Sequence, residues 1–444
     1  MTDLAAVVRD LMPTVRADLE RLVRIPSIAF PGYPPEPVAD AAQATVGILT
    51  AAGAPAELLE VPGAPPAVWA QIDGPPDAPT VLMYAHYDVQ PAGDPEAWDS
   101  PPYEPTERAG RLYGRGTADD KCGVAVISGA LRAFGGQPPV TVKIVIEGEE
   151  ETGGGTFMSY VAEHPDRFAA DVVVVADGGN WKVGEPTLTT TLRGLCVVDV
   201  VVETLEGPAH SGLYGGAAPD ALIALSRMLA TLHDEQGDVA VEGLARSTWE
   251  GRPVQDEVLR ASGRVLDGVS LIGSGSLAER LYTRPSITAI GMDVPGTAGA
   301  TNAIVPRATA RLSARLAPQE DPSRAQQAII DHLLRVAPWG VRVTCTPGET
   351  ASGAVLAADG PGADAARRAM ARAYGKEAVA VGSGGAIPLC VTLAQVLPDA
   401  DIVLWGACDD AAQIHAANES VDLGDLERAT LAQALLLTEL ASSA

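Results

Sequence analysis

Short apolar runs separated by helical segments constrain this chain more than any other feature. The runs are TVLMYAH (Thr80 to His86), TVKIVIEGEE (Thr141 to Glu150) and DVVVVAD (Asp171 to Asp177), with helical patterns after Lys121 and after Gly155. Runs that stay apolar on both faces are strands covered from both sides, so the alternation predicts an α/β sheet with helices on each face. Sheets of this kind place their sites at strand ends, where the polar residues of interest sit. From about Arg193 the pattern changes to LCVVDVVVETLEG, a helix near Asp220 to His233, SITAIGM and ATARLSARL, which predicts a smaller domain of strands with one or two helices. Beyond Pro322 a helix (Ser323 to Val336), VRVTCT, a helix from Gly362 to Tyr374, DIVLW and a closing helix from Leu423 are expected to resume the first pattern. The expected organisation is one α/β domain, residues 1-192 and 319-444, interrupted by an inserted α+β domain at 193-318.

Charge narrows the function classes. With 31 Lys plus Arg against 57 Asp plus Glu, the 444-residue chain has a formal net charge of -26. Phosphate neutralisation needs a basic footprint, so no nucleic-acid partner is expected. The five cysteines are odd in number and lack a CxxC pair, which argues against a disulfide framework or thiolate cage and for a reducing, cytoplasmic setting. Acids and arginines interrupt the N-terminal segment every few residues, so it is expected to form an amphipathic helix of the mature protein. No window approaches the roughly 18 apolar residues of a membrane span, and no membrane partner is expected.

Histidine is scarce, with six in the chain: His86, His164, His210, His233, His332 and His415. His86 closes a strand run, and Asp88 two residues on faces the same side. Its carboxylate can take one imidazole N–H and leave the other nitrogen for a metal. Asp119 and Asp120 lie in a glycine-bounded turn before a helix, where acids either cap the helix or serve a site. Glu147, Glu149, Glu150 and Glu151 follow a strand and precede Gly153 to Gly155, so at least two carboxylates are held at a strand end. Like charges crowded there repel unless cations or protons compensate. Asp177 ends a further run, and His415 follows DIVLW. His86, Asp119, Glu151, Asp177 and His415 thus fall at edges of one domain. Two neutral imidazoles and three carboxylates suit two divalent ions that share a bridging carboxylate. His164, His233 and His332 fall outside any motif and are expected on helix surfaces.

This ordered set resembles the co-catalytic zinc metallopeptidases that include carnosine dipeptidases, bacterial dipeptidases, carboxypeptidase G, aminoacylase, acetylornithine deacetylase and succinyl-diaminopimelate desuccinylase. The resemblance runs from LVRIPSIA at Leu22 to IHAANES. Its most specific stretch, AHYDVQPAGDPEAWDSPPYEPTERAGRLYGRGTADDK, looks like the dipeptidase branch. It implies a mixed-sheet zinc-peptidase catalytic domain, an inserted α+β lid and dimerisation domain, a homodimer, and two divalent metal ions, Zn2+ or in its place Mn2+ or Co2+. By the same resemblance His86 and Asp177 hold the first metal, Asp119 bridges, and Glu151 and His415 hold the second. Asp88 orients His86, and Glu150 is the general base. His210 in GPAHSGLYGG matches a lid histidine that reaches the partner subunit's site and helps bind the oxyanion. Asn302 and Arg315 match lid positions that contact substrate, and the planar fork of Arg315 suits a terminal carboxylate.

Two segments depart from the pattern. Similar dipeptidases often carry Arg and Ser in R-x-G-G-S-I-P, whereas this chain reads Gly382, Ser383, Gly384, Gly385, Ala386, Ile387, Pro388. Gly384 and Gly385, which let the backbone approach a substrate carboxylate, are kept, but the guanidinium and hydroxyl are missing. Cys122 follows Lys121 where a small residue is frequent. The resemblance implies hydrolysis of the peptide bond of dipeptides by a metal-bridging water with Glu150 as base. The altered segment leaves open an N-acyl amino acid amidohydrolase or deacylase. A binding homologue that has lost catalysis is a further alternative, against which the intact Glu150 and ligand set count.

Overall fold

In a computed structural model, which describes residues 3–356, 359–385 and 387–443, the three apolar runs are neighbouring strands. The strands that frame this sheet are β1 (Glu57–Leu59), β2 (Ala67–Ile72), β3 (Thr80–His86), β4 (Thr141–Glu147), β5 (Val172–Val175), β6 (Thr187–Leu192) and β7 (Asp401–Leu404), in the order β1-β2-β4-β3-β5-β7-β6. Neighbours among β4, β3, β5 and β7 are parallel, and β1, β2 and β6 join antiparallel, so the sheet is mixed. From Val81 to His86 every residue of β3 is buried, as is all of β5, which is why neither strand alternates in sequence. In the parallel register His86 stands opposite Glu147, so the carboxyl ends of the central strands reach one edge together.

Helix α1 (Leu4–Val23) begins at Asp3, whose side chain accepts the N–H groups of Ala5 and Ala6. It packs with α2 (Lys121–Ala133) and α3 (Leu423–Ser443). The three approach closely because α2 presents Gly129, where an added Cβ would lie 2.6 Å from Thr430 Cγ2 and 2.8 Å from Val15 Cγ2. These elements belong to one compact unit, Met1–Thr190 with Leu356–Val381 and Pro388–Ala444.

The other unit comprises Thr191–Val355 and Gly382–Ile387. Its antiparallel sheet runs in the order Ser286–Asp293, Arg307–Leu316, Gly194–Glu203, Arg342–Ala351. Along Arg307–Leu316 burial alternates, and the inward residues form a core with the helices Ala221–Ala230 and Pro322–Arg335.

The expected return to the first domain at residue 319 is corrected by this packing. Ala325, Ile329 and Leu333 join Val200 and Leu312 in the second core, and VRVTCT pairs with Gly194–Glu203, placing Cys345 opposite Val200. The sequence hides this because a further helix and strand look alike in either domain. VRVTCT nevertheless alternates, as befits a half-exposed edge strand, unlike the continuous apolar runs of the first sheet.

Two of the leftover histidines, His332 and His233, also differ from expectation, whereas His164 is exposed at a helix end. His332 is buried, with Nε2 2.9 Å from Thr231 Oγ1. His233 sits in an isolated bridge to Val239, not on a helix. His164 closes the helix Gly155–Glu163 with its ring centroid 4.3 Å from that of Tyr160. Among the described residues no helix is long and apolar enough to cross a membrane, and all five cysteines are free.

Candidate metal centre

Parallel strands deliver the first set of expected ligands. His86 ends β3, Asp177 follows β5, and Glu150 and Glu151 lie in the turn after β4. The His86 ring is buried, with Nε2 3.1 Å from Asp119 Oδ1 and 4.0 Å from both Glu150 Oε2 and Asp177 Oδ1. On its other side Nδ1 lies 3.1 Å from the Asp88 carbonyl oxygen and 3.3 Å from Asp88 Oδ1. That arrangement fixes the ring with Nε2 toward the acids.

A second imidazole meets the same carboxylate. His415 Nε2 is 2.9 Å from Asp119 Oδ2 and 3.2 Å from Glu151 Oε2. Asp119 therefore places one oxygen on each histidine, the geometry of a bridging acid. Asp119, Glu151 and His415 form one cluster of possible ligand atoms, and His86, Asp120 and Asp177 form another, with separations within 4.8 Å in each. Asp120 also caps α2: Oδ1 accepts the Gly123 N–H at 3.2 Å, and Oδ2 accepts that of His86 at 3.4 Å. With both its oxygens on backbone N–H groups, Asp120 is the less suitable bridge and Asp119 the better one.

Electrostatics set the donor chemistry. Burial disfavours the Asp119 anion, but the hydrogen bonds from His415 and His86 outweigh it and hold the carboxyl far below its usual range. Burial, with Asp120 adjacent, pushes Asp177 up. Burial likewise pushes Glu150 up to about 7, against the pull of His86 and aided by Asp119. Hydrogen bonds to Asp119 and Glu151 raise His415 to about 10. Carboxylates crowded this closely need compensating positive charge, which protons on the imidazoles provide here. Two divalent cations fit this set of imidazole nitrogens and carboxylate oxygens and would supply that charge.

Two supporting residues that the sequence did not mark, Gln90 and Glu419, join those already named around the site. Gln90 donates its backbone N–H to Glu151 Oε1 at 3.0 Å and its side-chain amide to Oε2 at 2.7 Å. Asp88 accepts the N–H groups of Glu150 and Glu151 at 3.2 and 3.1 Å, so it orients the turn as well as the imidazole. Glu419, inside the quoted IHAANES, is buried under the Asp119 loop. Glu147 Oε1 accepts the Tyr84 hydroxyl at 2.7 Å, and Glu149 accepts the Phe157 N–H at 2.7 Å. Cys122 is buried in the first turn of α2 and donates to the Ala118 carbonyl at 3.3 Å, a packing role.

The remaining expected residues belong to the second unit. Antiparallel pairing of Ala209–His210 with Ala303–Ile304 brings His210 beside Asn302, whose carbonyl accepts from Ser211 N and Oγ at 3.0 and 2.9 Å. His210 is exposed, and its Nδ1 accepts the Gly212 N–H at 3.0 Å. In the neutral ring this leaves the proton on Nε2. Arg315 is half-buried on a strand beside Leu195, and burial lowers its pKa. Gly384 and Gly385 are exposed, and Gly385 donates its N–H to Ser383 Oγ at 3.1 Å. At Gly382 an added Cβ would lie 2.5 Å from Tyr282 Cγ and 2.6 Å from Thr191 Oγ1, so no larger residue fits there unless both side chains move. Ala386 lies outside the described residues.

Residues 82–439 match the profile of Peptidase family M20/M25/M40, a span that includes all five expected ligands. A cysteinylglycine-S-conjugate dipeptidase of Corynebacterium striatum is 41% identical over 368 residues, which cover 81% of each chain. The chain belongs to the M20 peptidase family. A Beta-Ala-His dipeptidase of Rattus norvegicus is 27% identical over 393 residues, covering 81% of this chain and 76% of that one. The crystal structure of human carnosine dipeptidase 1 shares the M20 fold, with a TM-score of 0.84 and 24% identity over 99% of this chain and 98% of that chain.

Proposed function

We propose that this M20 peptidase is a di-metal metallodipeptidase that hydrolyses the peptide bond of dipeptides. The observation that carries the reading is Asp119, with one oxygen toward His86 and the other toward His415, beside a glutamate that neither histidine engages within hydrogen-bond distance. His86, Asp177 and Asp119 would hold one ion, and Asp119, Glu151 and His415 the other. Zn2+ is the ion we favour, and Mn2+ or Co2+ fits the same donors. When bound, the ions polarise the scissile carbonyl and acidify a water.

The remaining steps belong to the protein. Glu150, poised near 7, takes the water's proton and returns it to the leaving amine. His210, with its proton on Nε2, donates to the oxyanion from the neighbouring subunit of a homodimer formed through the second unit, which acts as lid. Arg315 pairs with the substrate's terminal carboxylate, while Asn302, Gly384 and Gly385 line its path. The free cysteines support a cytoplasmic setting.

One observation favours a second reading. At Gly382, where similar dipeptidases carry Arg, Tyr282 and Thr191 fill the space a Cβ would take, a departure from the dipeptidase motif that leaves room for an N-acyl amino acid amidohydrolase, whose substrates keep the terminal carboxylate and lack the free amine. Metal analysis followed by hydrolysis of unblocked, N-blocked and C-amidated dipeptides and N-acetyl amino acids separates the two. Metal-dependent turnover of unblocked dipeptides is expected. Turnover of N-acetyl amino acids alone would transfer the assignment to the deacylase.

A further inference from the structure

We propose that Glu419 is a positioning residue that holds Asp119 and His415 at the spacing a pair of ions requires. This rests on the di-metal reading above. Glu419 is fully buried, and its Oε1 accepts three backbone N–H groups, from Gly116 at 3.0 Å, Ala118 at 2.9 Å and Asp119 at 3.1 Å. Its Oε2 takes Arg115 Nη1 at 2.6 Å, and its own carbonyl accepts the Gly114 N–H at 2.9 Å. One carboxylate thus fastens the whole turn that ends in the bridging acid.

The same residue belongs to the other half of the site. Ser420–Asp422 pairs antiparallel with Arg111–Tyr113, and this register sets Glu419 beside the Gly114–Asp119 turn. His415 lies four residues before Glu419 and reaches Asp119 Oδ2 at 2.9 Å. The two oxygens of Asp119 face different imidazoles, so a small rotation of its backbone would break one contact or the other. Glu419 fixes that backbone through the Asp119 N–H itself. Convergence of three N–H donors on one oxygen calls for full negative charge, and Arg115 offsets the cost of burying that charge next to other acids.

A clamp that merely holds the fold would affect stability alone, so the deciding readout is metal binding to the chelator-treated, folded protein. Zn2+ titrated against a chromophoric competitor gives affinities, and Co2+ absorption reports the ligand geometry. In Glu419→Gln, affinity at one or both sites is expected to fall about 10- to 100-fold, with an altered Co2+ spectrum, lower kcat and little change in KM. Asp18→Asn, which removes the charge from a remote ion pair of 3.0 Å with Arg132, should lower the melting temperature and leave metal affinity unchanged. If Glu419→Gln does not fold, Arg115→Gln leaves Oε1 and its three donors in place and should give a smaller loss in the same direction. Wild-type metal affinity and Co2+ spectrum in the folded variant, with only the melting temperature lowered, would overturn the proposal. A wild-type protein that binds no divalent ion would overturn the di-metal reading itself, before any variant is compared.

Discussion

The carboxylate of Asp88 receives the backbone N–H of Glu150 at 3.2 Å. Its other oxygen receives Glu151 at 3.1 Å, so the acid behind the His86 imidazole also sets the turn that carries the proposed base and one ligand. Asparagine has a single acceptor oxygen and would turn an NH2 toward one of these N–H groups. Asp88→Asn is therefore expected to lose about 10- to 100-fold in metal affinity or kcat/KM with the fold retained. Unchanged values of both would show that the turn holds itself.

Glu150 is separable from the ligands, because the nearest imidazole nitrogen is 4.0 Å from it. Glu150→Gln keeps the shape and removes the base. Turnover should drop about 10^2- to 10^4-fold, while metal stoichiometry, measured on the dialysed protein, stays as in wild type. A variant with near-normal kcat would assign proton transfer elsewhere.

Metal binding should be strongly pH-dependent, and His415 gives the sign. Raised from 6.5 to about 10 by Asp119 and Glu151, it carries a proton at neutral pH in the metal-free protein. A cation must displace that proton, so affinity should rise as pH rises toward 10, by about tenfold per unit for each proton released. Calorimetry in buffers of different ionisation enthalpy counts the protons. For stability the sense is opposite: the charged pair supports the metal-free fold fully below 6.5, and that support is lost as pH rises through about 10.

Much of this candidate site was legible in the sequence because its proposed ligands sit where a run of one character ends. His86, Asp177 and the Glu147 to Glu151 cluster each close an apolar strand, and parallel pairing then brings strand ends to one edge. Gln90 and Glu419 were not legible as functional. A glutamine in a loop, or a glutamate after a histidine, is chemically ordinary until its partner across the fold is known, 61 positions away for Gln90 and 300 for the Asp119 N–H. The boundary at residue 319 failed for a related reason. The apolar stripe of Pro322–Arg335 shows that the helix is buried on one face, but not against which sheet.

The departure at Gly382 yields a prediction about substrate recognition. Tyr282 is buried against Trp249, with ring centroids 5.0 Å apart, and its Cγ lies 2.5 Å from where a Cβ at position 382 would be. Gly382→Ala is expected to cost about 1–3 kcal/mol of stability, the range for forcing extra atoms into packed space. Gly382→Arg should cost more and confer no gain on unblocked dipeptides, because the aromatic ring occupies the room a guanidinium stem needs. Pairing it with Tyr282→Ser removes the ring and leaves Tyr282 Cβ and Thr191 Oγ1, each 2.6 Å from the added Cβ, to shift. The two changes should then be non-additive, the double variant melting above the value summed from the singles. Additive melting shifts, or a stable Gly382→Arg single variant with raised kcat/KM for dipeptides bearing a free carboxylate, would mean that Tyr282 does not exclude the arginine.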